Sequence, residues 1–244
     1  MVDIHCHILP EVDDGARSWD IAVEMCRLAA ADGITHIVAT PHANDKYAYD
    51  REQHQERAKL LMERTGGVPE ISVGCDFHFS FENVQEALVH PSSYTIGQSK
   101  YMLVEFSDYS IPPMFLENLH LFTLKGMRLV ITHPERNPLL QRKPEQLLEW
   151  AEHGAIIQVT ANSLTGFWGK TAQNIARWLL DNDAVHVIAT DAHDTKARPP
   201  LMSRARQTVA DWVDQEVADA LVTHNPTAII RNEELPYFPF PNEG

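Results

Sequence analysis

The sequence predicts an α/β fold, a distorted TIM-like (β/α)7 barrel of about seven parallel strands with helices between them. Three observations carry this. Short β-like runs alternate with longer helical patterns along all 244 residues. Several runs are almost uninterrupted apolar segments (MLVEF, RLVIT and VHVIAT), as expected of parallel strands covered on both faces. Nearly every run also ends in a histidine or a carboxylate. An open doubly wound sheet would spread those ends along an edge, whereas a barrel gathers them on one face.

In order, the β-like runs are Met1–Ile8, Thr35–Thr40, Glu70–Cys75, Tyr101–Phe106, Met127–Thr132, Ala155–Thr160 and Ala184–Thr190. Helical patterns occupy 18–32, 49–64, 112–125, 144–153 and 168–182, with two more expected in 203–213 and 215–223. In 18–32, Ile21, Met25, Leu28 and Ala29 recur at helical spacing and Gly33 supplies a stop. In 168–182, Ala172, Ile175, Ala176, Leu179 and Leu180 repeat that pattern. No linker, low-complexity tract or internal repeat interrupts the chain. Residues 1–244 are therefore expected to form one domain, in the size range of roughly 200–250 residues common for α/β barrels. The stretch 233–244, containing PYFPFPNEG, is expected to be an extended tail.

The balance of 20 Lys and Arg against 34 Asp and Glu gives a net charge of −14. Such a chain is a poor general binder of nucleic acid or anionic membranes, although bound divalent cations would reverse the sign locally. No apolar stretch approaches the roughly 18 residues of a membrane span. MVDIHCHILPEVDDG lacks the basic and apolar regions of a signal peptide. The chain is thus not expected to be a membrane protein, and the cytoplasm is the expected compartment. Cys6, Cys26 and Cys75 form no disulfide framework, and none opens a C-x5-R phosphate loop. They read as buried, reduced thiols.

The run ends carry the chemistry. His5 and His7 lie two apart in the first strand, so their imidazoles share one face and Cys6 takes the other. The Asp13-Asp14-Gly15 turn follows, offering Asp14 as a ligand with Asp13 behind it. Thr40-Pro41-His42 and Thr132-His133-Pro134-Glu135-Arg136 each place a histidine beside a proline, whose fixed φ limits the freedom of the loop. Asp76, Glu105 and the Asp191-Ala192-His193 pair complete the set. His5, His7, Asp14, His42, Asp76, Glu105, His133, Asp191 and His193 are the expected metal ligands. Five imidazoles and four carboxylates suit two or three divalent ions such as manganese, iron or zinc, and are a poor calcium set. The other histidines, His36, His54, His78, His90, His120, His153, His186 and His224, read as structural.

The motifs IHCHILPEVDDG, ATPH, THPER and ATDAH resemble those of the PHP (polymerase and histidinol phosphatase) superfamily. The DDG loop, THPER and DAHDTKARPP most resemble the bacterial PHP-type protein-tyrosine phosphatases of capsule and exopolysaccharide systems, the CpsB/CapC-like branch. The resemblance runs from Met1 to the NPTAIIRN segment. It implies a PHP-type barrel with a trinuclear site, with manganese first in order and iron, zinc or magnesium as substitutes. It implies Arg136 and Arg198 as phosphate-site arginines, with Asp13 completing the catalytic group. The implied substrate is a phosphotyrosine protein, in particular the tyrosine-rich C-terminal tail of a bacterial tyrosine autokinase. Where that branch has Glu in a G-x-E segment, this chain has Gly74-Cys75-Asp76, one methylene shorter, so bridging geometry is expected to differ.

The expected reaction is metal-assisted hydrolysis of a phosphomonoester. Ions in such a site make a bound water acidic enough to attack near neutral pH, and the planar forks of arginine match phosphate oxygens. Three other readings compete: a small-molecule phosphatase of the histidinol-phosphate or nucleotide type, an amidohydrolase-like metal hydrolase, and a degenerate, non-enzymatic PHP module. Against the second, no strand-end lysine is available to bridge ions. Against the third, a decayed site would have lost several ligands.

Overall fold

A computed structural model describes residues 1–241. Nine parallel strands form two sheets. β1 (Val2–Cys6), β2 (His36–Ala39) and β4 (Glu70–Val73) make one, in the order β1-β2-β4. The other runs β3 (His42–Ala43), β5 (Asp76–His78), β6 (Tyr101–Glu105), β7 (Arg128–Thr132), β8 (Ile156–Thr160) and β9 (Val187–Ala189), in that order. Seven strands fall within the seven expected runs, and two short additional ones, β3 and β5, follow just beyond the runs Thr35–Thr40 and Glu70–Cys75. Pro41, which has no N–H to give a ladder, separates β2 from β3. Gly74 and Cys75 separate β4 from β5, and at Gly74 a Cβ would meet Val38 Cγ1 at 3.0 Å. After each of these two runs the chain therefore passes from one sheet to the other.

No continuous ladder joins β1 to β9. Their ends meet through one parallel bridge, Cys6 to Ala192. Asp191 N–H donates to His5 O at 2.8 Å, and His7 N–H donates to Ala192 O at 2.9 Å. The first and last strands thus touch where their functional side chains emerge.

Strand alternation divides the core into two layers. Val2, Ile4, Val38, Tyr101, Leu103, Val130, Ile156 and Val187 pack with Ile229 in one apolar cluster. Their alternates Ile37, Met102, Val104, Leu129, Ile131, Ile157 and Ile188 pack in the larger cluster with helix residues such as Met25, Leu61, Phe122, Trp150 and Leu179.

The helices are α1 (Trp19–Ala31), α2 (Arg51–Thr65), α3 (Phe81–Val89), α4 (Phe115–Leu124), α5 (Glu145–Glu152), α6 (Ala161–Leu164), α7 (Gly169–Asp181), α8 (Ser203–Trp212), α9 (Gln215–Asp219) and α10 (Asn225–Ile230). Their starts follow capping chemistry: Ser18, Asp50, Ser80 and Asp214 each accept a backbone N–H three residues on. α3, α6 and α10 are additional to the helices expected from periodicity. No helix among the described residues is long and apolar enough to cross a membrane. The chain beyond α10 docks rather than trailing free: Tyr101 Oη donates to Glu233 O at 2.5 Å, Asn225 pairs with the Tyr237 backbone, and Phe238 packs on His186. Residues 242–244 of the expected tail lie outside the described residues.

Candidate metal centre

All nine expected ligands come together, from the ends of the expected runs, the residues just beyond them and the DDG turn. They form four overlapping groups: His7, Asp14, His42 and His193; His5, His7 and Asp76; His5, His133 and Asp191; and His42, Asp76 and Glu105. Within each group the ligand atoms lie within 4.8 Å of one another. His5, His7 and Asp76 have at most 1% of their surface exposed. Asp14 is the exposed member.

The imidazoles are held from behind. His5 Nδ1 donates to Gln158 Oε1 at 3.0 Å, His7 Nδ1 to Asp13 Oδ2 at 2.8 Å and His193 Nδ1 to Asp191 O at 3.0 Å. Each bond leaves Nε2 free to face the cluster, and the Nε2 atoms of His5 and His7 approach to 3.2 Å. A metal-binding histidine is oriented in this way. Asp13 lies outside the ligand cluster: it accepts from His7, from Gly15 N–H at 2.9 Å and from His42 N–H at 3.3 Å. Gly15 is required by crowding, because a Cβ there would sit 2.1 Å from His7 O.

Asp76 Oδ2 tests whether cations fit. It is fully buried, accepts no hydrogen bond of proper geometry, and lies 3.1 Å from His42 Nδ1, 3.5 Å from His5 Nε2 and 4.0 Å from His7 Nε2. A buried carboxylate oxygen facing three imidazole nitrogens is costly unless a positive charge lies among them. The mixed nitrogen and oxygen donors fit divalent transition ions.

Without ions, protons supply that charge. Burial, the largest single influence, disfavours protonated His7, but the Asp13 and Asp191 carboxylates together lift the ring to about 9. Burial likewise opposes protonation of His42; the facing Asp14 and Asp76 carboxylates push it up to about 12. His193 goes the other way, to about 4, through burial and the nearby His7 charge. Burial would raise Asp191, yet the charges of Arg136 and His5 hold it well below the usual carboxylate range.

Asp191 divides its two oxygens. Oδ1 faces His5 Nε2 at 3.5 Å and His7 Nε2 at 3.4 Å. Oδ2 accepts from Arg198 Nη2 at 2.5 Å and is ion-paired with Arg136 Nη2 at 2.6 Å. Both expected arginines are thereby brought to the edge of the cluster. Each keeps one buried donor without a partner, Nη1 of Arg136 and Nε of Arg198. A hollow of about 280 Å³ opens beside Arg136, bounded also by Glu105, Phe106, Thr132, His133 and Trp168.

Three contributors have no counterpart in the sequence reading. Gln158 holds His5 from the one strand whose end carries no histidine or acid. Glu135, fully buried, accepts from Thr160 N–H at 3.0 Å and Ser163 Oγ–H at 2.5 Å, bracing the His133 loop against β8. Trp168 lies beneath the arginines. Glu135 was visible inside THPER, but a neutral Gln within an apolar run and a lone Trp carry no pattern.

The family model for capsular polysaccharide synthesis, CpsB/CapC, matches residues 1–231. The chain belongs to the CpsB/CapC family. It is 32% identical over 239 residues to the tyrosine-protein phosphatase YwqE of Bacillus subtilis, covering 96% of this chain and 93% of that protein. To the tyrosine-protein phosphatase CpsB of Streptococcus pneumoniae it is 28% identical over 246 residues, covering 96% and 99%. A crystal structure from work on YwqE and CpsB as unique metal-dependent tyrosine phosphatases covers both chains in full, with a TM-score of 0.90 and 32% identity. A phosphotriesterase homology protein from Escherichia coli shares the fold alone, with a TM-score of 0.60 at 15% identity. The CpsB/CapC match spans every strand and every candidate ligand described above.

Proposed function

We propose that this CpsB/CapC protein is a metal-dependent phosphomonoesterase acting on phosphotyrosine proteins, a protein-tyrosine phosphatase. The division of Asp191 carries the reading: one oxygen faces the imidazole cluster and the other holds two arginines. Cation site and anion site therefore share one residue, as a phosphate bridging metals and guanidinium groups requires.

In this reading His5, His7, Asp14, His42, Asp76, Glu105, His133, Asp191 and His193 hold two or three divalent ions, manganese foremost. Bound cations supply Lewis acidity and offset the charge of the phosphoryl group. Arg136 Nη1 and Arg198 Nε, the donors without partners, receive phosphate oxygens. Asp13 and Gln158 fix the imidazoles of His7 and His5. The substrate ring occupies the hollow on its Phe106 side. The two sheets act as one domain, a seven-stranded barrel opened between its first and last strands. The natural partner is the C-terminal tail of a tyrosine autokinase of polysaccharide export, met in the cytoplasm.

The test is phosphate release by the manganese-loaded protein from a phosphotyrosine peptide, p-nitrophenyl phosphate and histidinol phosphate. The peptide is expected to be turned over and chelation to abolish the reaction. Arg136→Ala is expected to lower kcat/KM by about 100-fold while metal content holds. Full activity after complete metal removal, or turnover of histidinol phosphate alone, would overturn the proposal.

A further inference from the structure

Trp168 sits immediately before α7, in the turn that follows α6. Its ring lies beneath both phosphate-site arginines: the Arg136 guanidinium carbon is 4.5 Å from the ring centroid and that of Arg198 is 5.4 Å. Each arginine is otherwise fixed at one point, the shared Asp191 Oδ2. A single N–H···O contact leaves a guanidinium free to turn about it. An aromatic face removes that freedom, because a planar cation over a π-system is attracted as well as blocked.

The donors left over show what the restraint achieves. Arg136 Nη1 and Arg198 Nε are buried and unpartnered, a costly state for a charged group unless an acceptor arrives. Trp168 borders the same hollow as Arg136, Glu105 and His133, so an acceptor there lies beside the Arg136 guanidinium that the ring supports. Glu135 ties this part of the molecule together. It holds Ser163 Oγ in α6 with one oxygen, while its neighbour Arg136 lies on the Trp168 ring.

We propose that Trp168 is a positioning residue that sets the orientation of Arg136 and Arg198 and so the affinity of the site for the phosphoryl group. This rests on the phosphate role assigned to those arginines. Trp168 acts through them, and no contact of its own with substrate is needed.

The test uses the manganese-loaded full chain with inorganic phosphate as the probe. Phosphate affinity is measured by calorimetry, beside kcat and KM for p-nitrophenyl phosphate, metal content and Tm. Trp168→Ala is expected to weaken phosphate binding by about five- to tenfold, with metal content unchanged. Trp168→Phe, which keeps a π-face, is expected to recover most of the loss. Trp168→Leu, apolar but without the quadrupole, is not. In an Arg136→Ala, Arg198→Ala background, Trp168→Ala should cost nothing further, since a pair that acts as a unit is not additive. Phosphate affinity within twofold of the parent in Trp168→Ala, or equal recovery by Leu and Phe, would remove the inference. If Arg136→Ala and Arg198→Ala themselves leave phosphate binding unchanged, it is the phosphate role of the arginines that fails.

Discussion

At the scale of single residues, the centre is built from side chains with two contacts each. His5, His7 and His193 use Nδ1 for the protein and turn Nε2 inward. Removing a rear contact should therefore act like damage to the ligand itself. Gln158→Ala is expected to weaken metal binding by about tenfold or more, measured by competition with a chromogenic chelator; an unchanged affinity would detach Gln158 from the site. Protonation gives a second test. His7 near 9 and His42 near 12 are charged at pH 7 when no ion is bound, and imidazoles must be neutral to bind metal. Loading is expected to release about two protons at pH 7, and affinity should climb as pH rises from 7 towards 9 while His7 loses its proton. Calorimetry in two buffers of different ionisation enthalpy counts them; buffer-independent heats would contradict these charge states.

At the scale of elements, strand ends and loops decide what the sequence could announce. Six of the seven runs, those ending in His, Asp or Glu, made the ligands legible, because the same residue types recurred at the same structural position. Gln158 stayed hidden, as a neutral side chain among Ile156, Ile157 and Val159 looks like a tolerated polar residue in a strand. β3 and β5 were not expected, because each is only two or three residues long and follows a breaker, Pro41 or Gly74, at the end of the run before it. α3 was missed after Asp76-Phe77-His78, yet Ser80 with its bond from Asn83 N–H and the buried Val84 and Ala87 supplied a cap and a short apolar face. The DDG turn offers a clean test of local packing. A Cβ at residue 15 would strike the His7 carbonyl. Gly15→Ala is thus expected to shift His7 and lower both metal content and turnover by about tenfold or more. A variant with full metal content and normal kcat would show that the loop yields at no cost.

At the scale of the whole molecule, the ligands come from residues 5 to 193 and from both sheets, so bound ions tie distant parts of the chain together. Ligands that bind only the folded state stabilise it, by about 4 kcal/mol at a thousandfold excess over Kd. At about 2–4 °C per kcal/mol for a chain of this size, stripping the ions should lower Tm by about 10 °C. Equal melting curves with and without chelator would mean that the cluster binds no ion of consequence. Acidity enters elsewhere as well. Burial lowers His186 to about 4, and its Nδ1 accepts Ile157 N–H at 3.1 Å. The unfolded chain binds that proton near 6.5 and the folded one only near 4, so this residue's contribution falls as pH drops through that window.

The bridge between Cys6 and Ala192 also has a temporal meaning. His5 and His7 share one group with Asp76, but the groups they share with Asp191 and with His193 need residues that follow β9. A growing chain on the ribosome can thus assemble part of the chelate before its last strand arrives. Full loading falls late. A product truncated before Asp191 would lack two of the four ligand groups.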